Sequence, residues 1–283
     1  MYTIVIVGEA APPWIQLLEV WRRLAAATFP PAEPLAESSS LPLPPLPPLF
    51  AKFSEWAQGK GLCSRLRFDA ITGCGYGCIA CDDIAPGDVV ITVPAAVVIS
   101  SDAAMDSSLA PLLAAIDGLD AGGRALLFAL CENAQADSEW RTYFDFLPRD
   151  FQTPLQWNEA ELQLLQGTPL YERVVFECDS LRQFFEQLFP ALSDAYPTHY
   201  PAESCTWDVF LWLRCLFDSR AFHLKAKDGS LMPSLLPGAD MFNYSLRPHV
   251  VRATTIRNDA STAGDVEFAA AAACSAGQQV FHM

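Results

Sequence analysis

The sequence predicts an α+β protein in which short β-strands precede and follow a long helical stretch. Residues 68–99 alternate short apolar runs with turn residues such as Gly73, Gly75 and Pro86-Gly87, which is typical of short strands. Residues 106–217 instead have the periodicity of helices. The last part of the chain returns to strand-like residues that end near Val280-Phe281.

Composition limits the classes of protein that fit this pattern. The chain has 283 residues, 51% of them hydrophobic and 18% charged, which describes a globular protein with a sizeable core. Its formal net charge is −15, so nucleic acid is not an expected partner and a lysine-bearing protein segment is. No apolar run approaches the ~18–20 residues that cross a bilayer. We therefore expect no membrane association.

Nine cysteines and the first residues of the chain bear on the compartment. Nine is an odd number, and Met1–Val7 carries no basic leader typical of secretion. Reduced thiols inside the cell are the default expectation. We expect the cytoplasm or nucleus, with a plastid as the alternative.

Residues 1–48 are predicted to be a separate, disordered leader or linker. The segment Pro30–Pro48 is rich in proline and serine, and proline runs favour an extended polyproline helix without backbone donors. The spacing of Pro42, Pro45 and Pro48 is that of a ligand for a domain of the SH3 type, although a plain linker is the preferred interpretation.

The domain begins with a helix and a group of strands. Phe50, Phe53 and Trp56 share one helical face, and glycines follow at Gly59 and Gly61. The predicted strands in this part are Phe68–Ile71, Gly77–Cys81, Val89–Val93 and Ala96–Ile99.

Three cysteines in this region provide a rival hypothesis. Cys74, Cys78 and Cys81 have the C-x₃-C-x₂-C spacing with which radical-SAM enzymes hold a [4Fe–4S] cluster. No βα repeat follows, and Ala80 stands where such motifs often have an aromatic residue. A separation of three residues along a strand would also send Cys78 and Cys81 to opposite faces. Small structural cysteines are the preferred interpretation, and no metal site is expected.

The middle of the chain is predicted to form helices, and capping residues mark where some of them start. Asn158 with Glu161 forms a capping box, and Thr206 is placed to cap the last helix. The aromatic residues of this stretch are assigned to the core without chemistry. The predicted helices are Arg124–Glu132, Tyr171–Phe189 and Trp207–Phe217.

Two short polar segments follow these helices. Ser219-Arg220 ends the last helix, where a cation lies near the negative pole of the helix dipole. Asp240 and Asn243 lie in the stretch Leu236–Ser245, and such side chains bond backbone or ligand groups at turns.

Together these segments resemble the SET-domain protein methyltransferases. The branch is that of the Rubisco lysine methyltransferase, whose SET fold of short β-sheets is interrupted by an all-helical insertion. The resemblance covers about residues 50–281. The motifs that carry it are Gly75-Tyr76-Gly77, Asp83-Ile84, Gly87-Asp88, Val93-Pro94, Trp140 with Tyr143, Leu147-Pro148, Ser219-Arg220 and Asp240–Ser245.

The resemblance implies the domain organisation and the reaction. Residues 49–104 would form the first part of the SET domain, 105–215 the helical insertion and 216–283 the last part, which is expected to be truncated. The implied reaction transfers a methyl group from S-adenosylmethionine to a protein lysine ε-amine, and some members of the branch methylate histidine instead.

The resemblance also implies the site residues. The cofactor-binding residues would be Gly75, Tyr76, Gly77, Arg220, Asp240, Asn243 and Tyr244. The backbone carbonyls of Ser219 and Asp240 would line the path of the methyl group. Two residues depart from the family pattern: Cys74 stands where a carboxylate often holds the cofactor, and Tyr244 replaces a histidine at the adenine.

The end of the sequence raises a question about activity. In the family, a run like Gly277–Phe281 continues into a strand with the catalytic tyrosine, which is not found before Met283, and His282 lies too early to replace it. The sequence therefore predicts a weak or inactive methyltransferase that still binds cofactor. A non-catalytic SET module that binds protein and an incomplete gene product remain alternatives, with radical-SAM chemistry a distant third.

Overall fold

The structure is a computed structural model that describes residues 45–227, 229–255 and 264–282, the side chains of 251–255 excepted. The predicted leader lies outside the described residues as far as position 44. Residues 45–47 have no regular structure, and Pro48 is already the first residue of a helix.

An eight-stranded sheet gathers strands from both sides of the helical stretch. Its order is β1-β4-β9-β8-β10-β3-β2, and β7 pairs with β10 beside this path. The strands are β1 Cys63–Ser64, β2 Leu66–Ile71, β3 Gly75–Ala80, β4 Val89–Val93, β7 Asn243–Tyr244, β8 Val250–Thr255, β9 Val266–Ala270 and β10 Gln279–His282.

Strand β10 joins the two parts of this sheet. It runs antiparallel to β3, with Val280 opposite Cys78, and parallel to β7, with Phe281 opposite Asn243. The last described strand is therefore hydrogen-bonded to one of the first. Through β10, the turn before β3 and the segment around Asn243 come to the same edge of the sheet.

The helical stretch lies between β4 and a separate hairpin of β5 (Phe222–Lys225) and β6 (Leu231–Ser234). The α-helices are α1 Pro48–Gly59, α2 Ser101–Asp106, α3 Ala110–Ala114, α4 Ala121–Ala134, α5 Arg141–Phe146, α6 Glu159–Gln163, α7 Pro169–Ala195 and α8 Trp207–Arg220. No helix among the described residues is long and apolar enough to cross a membrane.

Local side chains fix the starts of several helices, as the sequence predicts. The capping box of Asn158 and Glu161 is present at α6, and the Thr206 hydroxyl accepts from the Val209 amide at α8. The buried helix expected at Arg124–Glu132 is α4, whose cap is Asp120. These side chains satisfy backbone donors that a helix start leaves free.

One predicted strand is wrong. Residues Ala95–Val97 form a 3₁₀ turn in place of the strand predicted at Ala96–Ile99. Pro94 starts this turn, because its carbonyl accepts from the Val97 amide and proline itself has no donor for a sheet ladder. Ile99 instead makes an isolated β-bridge to Leu235.

Helix α5 attaches the helical stretch to the sheet. Phe146 stacks on Phe53 of α1 with ring centroids 4.2 Å apart, and the indole of Trp140, just before α5, donates to the Val97 carbonyl at 2.9 Å. The buried hydrophobic residues of sheet and helices form one continuous core. This packing fixes the position of Tyr143, which lies on α5 and whose hydroxyl contacts Asp240.

Candidate functional site

The first wall of the site is the start of β3. Gly73 and Gly75 have positive φ values of 77° and 72°, a conformation that glycine adopts without steric cost. They allow a tight turn from Ile71 of β2 into Tyr76. A Cβ atom on the next glycine, Gly77, would lie 2.5 Å from Cγ1 of Ile71, so this strand approaches its neighbours more closely than a side chain permits.

Asn243 lies against this wall. Its side-chain Nδ2 donates to the Tyr76 carbonyl at 2.9 Å, and the same Nδ2 would be 2.9 Å from a Cβ on Gly77. Gly77 and Asn243, which the resemblance assigns to one cofactor site, therefore lie side by side although the helical stretch separates them in sequence. The small size of glycine is what allows the amide to bond the main chain.

Arg220 provides the cation of the site. The last residue of α8, it donates from Nη1 to the Asp240 carbonyl at 2.7 Å. Its guanidinium lies 6.0 Å from the ring centroids of Tyr76 and of Phe151. Three segments that are distant in sequence, β3, α8 and the turn Ala239–Met241, thus converge on one arginine.

Asp240 is buried behind this arginine. The hydroxyl of Tyr143, itself fully buried, donates to Oδ2 of Asp240 at 2.7 Å. Burial raises the pKa of Asp240 to about 6, and the charge of Arg220 and the bond from Tyr143 oppose that rise. Burial likewise raises the pKa of the Tyr143 phenol, so the phenol stays protonated and donates.

Three buried polar atoms of the site have no hydrogen-bond partner among the described residues. They are Nε of Arg220, Oδ1 of Asp240 and Nε2 of Gln279. Buried polar atoms normally have partners, so an unsatisfied set suggests room for a polar ligand. The cationic donor suits the carboxylate of S-adenosylmethionine, the neutral donor suits its adenine, and the acceptor suits its ammonium group. The residues present therefore fit the cofactor that the resemblance implies.

Some predicted site residues lie at the margin of this group. Tyr244 is 54% exposed and pairs with His282 across β7 and β10. Ser219 is exposed at the end of α8, and Cys74 is exposed in the turn between β2 and β3. The roles that the resemblance implies for these residues involve their backbone groups or contact with an edge of the ligand. These roles remain predictions.

The three cysteines of the rival motif differ in exposure. Cys78 is fully buried in β3, whereas Cys74 and Cys81 are exposed, as the strand alternation predicts. Burial raises the pKa of the Cys78 thiol well above its usual value, which favours the thiol over the thiolate that binds metals. Within the described ranges, no three His, Cys, Asp or Glu residues form a group that would hold a metal ion.

His282 lies in an aromatic environment next to the site. Its ring centroid is 5.2 Å from that of Phe222, 5.8 Å from Phe268 and 6.1 Å from Phe242. Burial lowers the pKa of His282 to about 4, because it disfavours the charged imidazolium. The ring is therefore neutral at neutral pH and packs as an aromatic group.

Sequence reasoning missed two residues of the site. The sequence predicts Tyr143 only as a core residue, because an aromatic residue on a helix has the same periodicity whether or not its hydroxyl makes a functional contact. Gln279 belongs to the last strand, and the sequence predicts that strand without giving this residue a role in the site. The spacing of Trp140 and Tyr143 matches a family motif and is the one signal that would have drawn attention to the phenol.

The chain is similar in sequence to protein methyltransferases, although no protein-family model matches it. It is 29% identical over 216 residues to the chloroplastic Rubisco large-subunit N-methyltransferase of Pisum sativum, covering 71% of this chain and 40% of that protein. The Nicotiana tabacum protein of the same name is 31% identical, covering 61% and 34%. The actin-histidine N-methyltransferase of Mus musculus is 28% identical, covering 60% and 30%.

Solved structures agree with the sequence relatives. The SET domain of LSMT bound to lysine and AdoHcy superposes with a TM-score of 0.71 at 25% identity, covering 85% of this chain and 54% of that one. Rubisco LSMT bound to AdoMet gives a TM-score of 0.68 at 25% identity, covering 84% and 53%. The chain spans less than half the length of the sequence relatives given above.

Proposed function

We propose, from the premise that the chain is a SET-domain protein of the Rubisco lysine methyltransferase-like branch, that it binds S-adenosylmethionine and supports methyl transfer to a protein. The observation that carries the proposal is the convergence of Arg220, Asp240, Asn243 and Tyr76, with unsatisfied polar atoms left over. A non-catalytic module or a radical-SAM enzyme is not favoured, because the relatives are protein methyltransferases.

The chain's own residues have distinct tasks in this proposal. Arg220, with Nε free among the described residues, would hold the cofactor's carboxylate by a charge-assisted hydrogen bond. Asn243 fixes the Tyr76 carbonyl, so that main-chain groups of Gly75, Tyr76 and Gly77 present a preformed edge to the nucleoside. Tyr244 would cover that edge from the solvent side. When bound, S-adenosylmethionine supplies the electrophilic methyl group.

The methyl acceptor must be a neutral amine in line with the methyl group. The backbone carbonyls of Ser219 and Asp240 would accept from the amine and orient its lone pair, and most of the rate gain in such a transfer comes from positioning. The bond from Arg220 Nη1 holds the Asp240 carbonyl in place. A low-dielectric channel would lower the pKa of a lysine amine and so favour its neutral form.

A protein lysine is the acceptor that we favour. Relatives named as Rubisco and aldolase-lysine methyltransferases support it, while the actin-histidine relatives keep histidine as the alternative. Several of these relatives are chloroplastic by name, which supports a plastid compartment alongside the cytoplasm and nucleus expected from the sequence.

The proposed domain division follows the fold. We propose 49–104 and 216–283 as the two parts of the SET domain and 105–215 as its helical insertion. The hairpin β5–β6 and the site residues after it then belong to the second part.

Calorimetric titration with S-adenosylmethionine tests the proposal. The 283-residue chain should bind one equivalent, and Arg220→Gln should weaken binding by at least about ten-fold, since hydrogen bonds to charged groups contribute about 1.5–3 kcal/mol. Arg173→Gln is the control, because Arg173 lies exposed on α7 and should leave affinity unchanged. A folded chain that shows no binding, or equal affinities for both variants, would refute the proposal.

Methyl transfer is measured separately with cofactor labelled on the methyl group and a mixture of peptides that contain lysine or histidine. The same assay decides the sequence-based prediction that turnover is weak or absent. Methylation of histidine alone would replace lysine as the acceptor.

A further inference from the structure

A cavity of about 690 Å³ lies between the helical insertion and the hairpin β5–β6. Helices α4, α7 and α8 form its sides, and His223 and Pro233 of the hairpin line it opposite them. Its volume is within the range of ligand sites, ~300–1,000 Å³. The cofactor site described above does not include this cavity.

The inner wall of the cavity is apolar. It is made by Leu126 of α4, Leu181 and Phe184 of α7, and Phe217 of α8. Leu126 and Phe217 are buried, and Leu181 and Phe184 are half-buried. An aliphatic chain of several methylene groups would gain from contact with such a wall.

The rim of the cavity is acidic. Asp117, Asp120 and Asp218 contribute carboxylates, and all three are exposed. The cation on the same lining, Arg214, is already bonded to Asp218 and lies 3.1 Å from Glu177. Its charge is therefore compensated, and the rim keeps an excess of negative charge.

The position of the cavity connects it to the proposed reaction. Asp218 and Ala221 line it, and between them in the chain are Ser219 and Arg220. The carbonyl proposed to face the methyl acceptor therefore belongs to the last turn of α8, next in the chain to a residue that lines the cavity. A protein segment whose target residue lies at Ser219 would pass its neighbouring residues over the acidic rim.

We propose that this cavity, lined by Asp117, Asp120 and Asp218 around an apolar wall, binds a lysine or arginine side chain of the protein substrate close to its methylated residue. The aliphatic stem would lie on the wall of Leu126 and Phe217, and the charged head would meet Asp117 and Asp120, since Asp218 is paired with Arg214. The inference rests on the proposed function for the identity of its ligand as substrate. It adds a preference for basic segments that the methyl-transfer site alone does not provide.

Fluorescence anisotropy with a labelled hexapeptide of alternating leucine and lysine tests the proposal. The variant Asp117→Asn/Asp120→Asn removes two rim charges, and asparagine caps helix α4 as well as aspartate does. We expect peptide affinity to fall roughly five- to ten-fold at about 0.15 M salt, where unpaired surface charges interact over about 8 Å. The control, Asp137→Asn/Asp194→Asn, removes two exposed carboxylates that do not line the cavity and should leave affinity unchanged.

The outcomes separate this inference from the proposed function. Affinity for S-adenosylmethionine is measured for the same proteins and should not change in either double variant. If the cofactor binds but the peptide does not, or if both double variants weaken the peptide equally, the cavity is not the site and the proposed function stands. If the peptide binds with the expected dependence on Asp117 and Asp120 but the cofactor does not bind, the cavity stands as a site for basic segments and the proposed function fails.

Discussion

Asp240 contributes to the site through both its main chain and its side chain. Its main-chain carbonyl accepts from Arg220 and its carboxylate accepts from Tyr143, while the side chain is only 6% exposed. The main chain therefore serves the site and the side chain anchors that main chain to α5. The cost of the anchor is a carboxylate kept away from water.

That cost gives a pH-dependent prediction. Burial raises the pKa of Asp240 from 3.8 to about 6, so the folded protein binds a proton more tightly than the unfolded chain. Stability contributed by the protonated form is present below about pH 4 and is lost as the pH rises towards about 6. Asp240→Asn keeps an acceptor for Tyr143 and removes the charge. Its free energy of unfolding, relative to wild type, should rise by on the order of 2 kcal/mol between pH 4 and pH 7.

Urea unfolding of both proteins at a series of pH values measures this difference. The control is Asp194→Asn, which removes a carboxylate from an exposed position of α7. A difference for Asp240→Asn that is flat or declines with rising pH would show that the carboxylate is ionised at no cost in the folded protein.

Residues whose task depends on main-chain geometry were the easiest to predict from the sequence. Asn243 and Gly77 belong to motifs in which only an amide or a glycine fits, and the structure brings them together. Tyr143 could not be predicted in the same way, because its pairing with Asp240 joins positions 97 residues apart. The role of a buried tyrosine hydroxyl becomes visible only when the structure shows its hydrogen-bond partner.

At the level of elements, the approach of β2, β7 and β10 to β3 defines one edge of the site. Gly77 is surrounded by Ile71 of β2, Asn243 of β7 and Gln279 of β10. A methyl group there would lie 2.5, 2.9 and 3.1 Å from atoms of these three side chains. The packing of three strands therefore depends on the absence of a side chain at one position.

Substitution of Gly77 tests this dependence. Gly77→Ala should lower the free energy of unfolding by about 1–3 kcal/mol, because added volume in a close-packed site forces side chains out of their preferred positions. Ile71→Ala removes the nearest contact, and in the double variant part of the loss should be recovered. Gly59→Ala is the control, since a methyl group at that helical position meets nothing within 4 Å. Equal effects of Gly77→Ala and Gly59→Ala in urea unfolding would contradict this account.

Elements were predicted well where a local signal decides them. Caps at Asn158 and Thr206 locate helix starts correctly, since a capping bond joins residues only three positions apart. The error at Ala96–Ile99 arose because apolar β-branched residues indicate a strand, whereas Pro94 and the bridge from Ile99 to Leu235 determine the conformation. That bridge joins distant parts of the chain, which local patterns do not report.

On the scale of the whole molecule, the sequence predicted strands on both sides of a helical insertion but not the order of the sheet. That order depends on β10 pairing with β3 and β7, which are contacts between the two sides. The insertion is also less independent than its separate periodicity indicates. Tyr143 bonds Asp240 and Trp140 bonds Val97, so polar contacts as well as apolar packing join it to the sheet.

Hydrogen exchange in rising urea measures how far the insertion and the sheet unfold as one unit. Helix α4 contributes seven consecutive buried residues, 125–131, and shares one continuous core with β9 and β3. We therefore expect amides of α4, β3 and β9 to open with the same free energy and the same dependence on urea. Helix α6, which has no buried residues, and the first half of α7, where Val174 is the buried residue, should exchange at much lower free energies. If α4 instead opened together with α6 and α7, well below the sheet, the insertion would be a separate folding unit. The bond between Tyr143 and Asp240 would then be a contact between two units that fold independently.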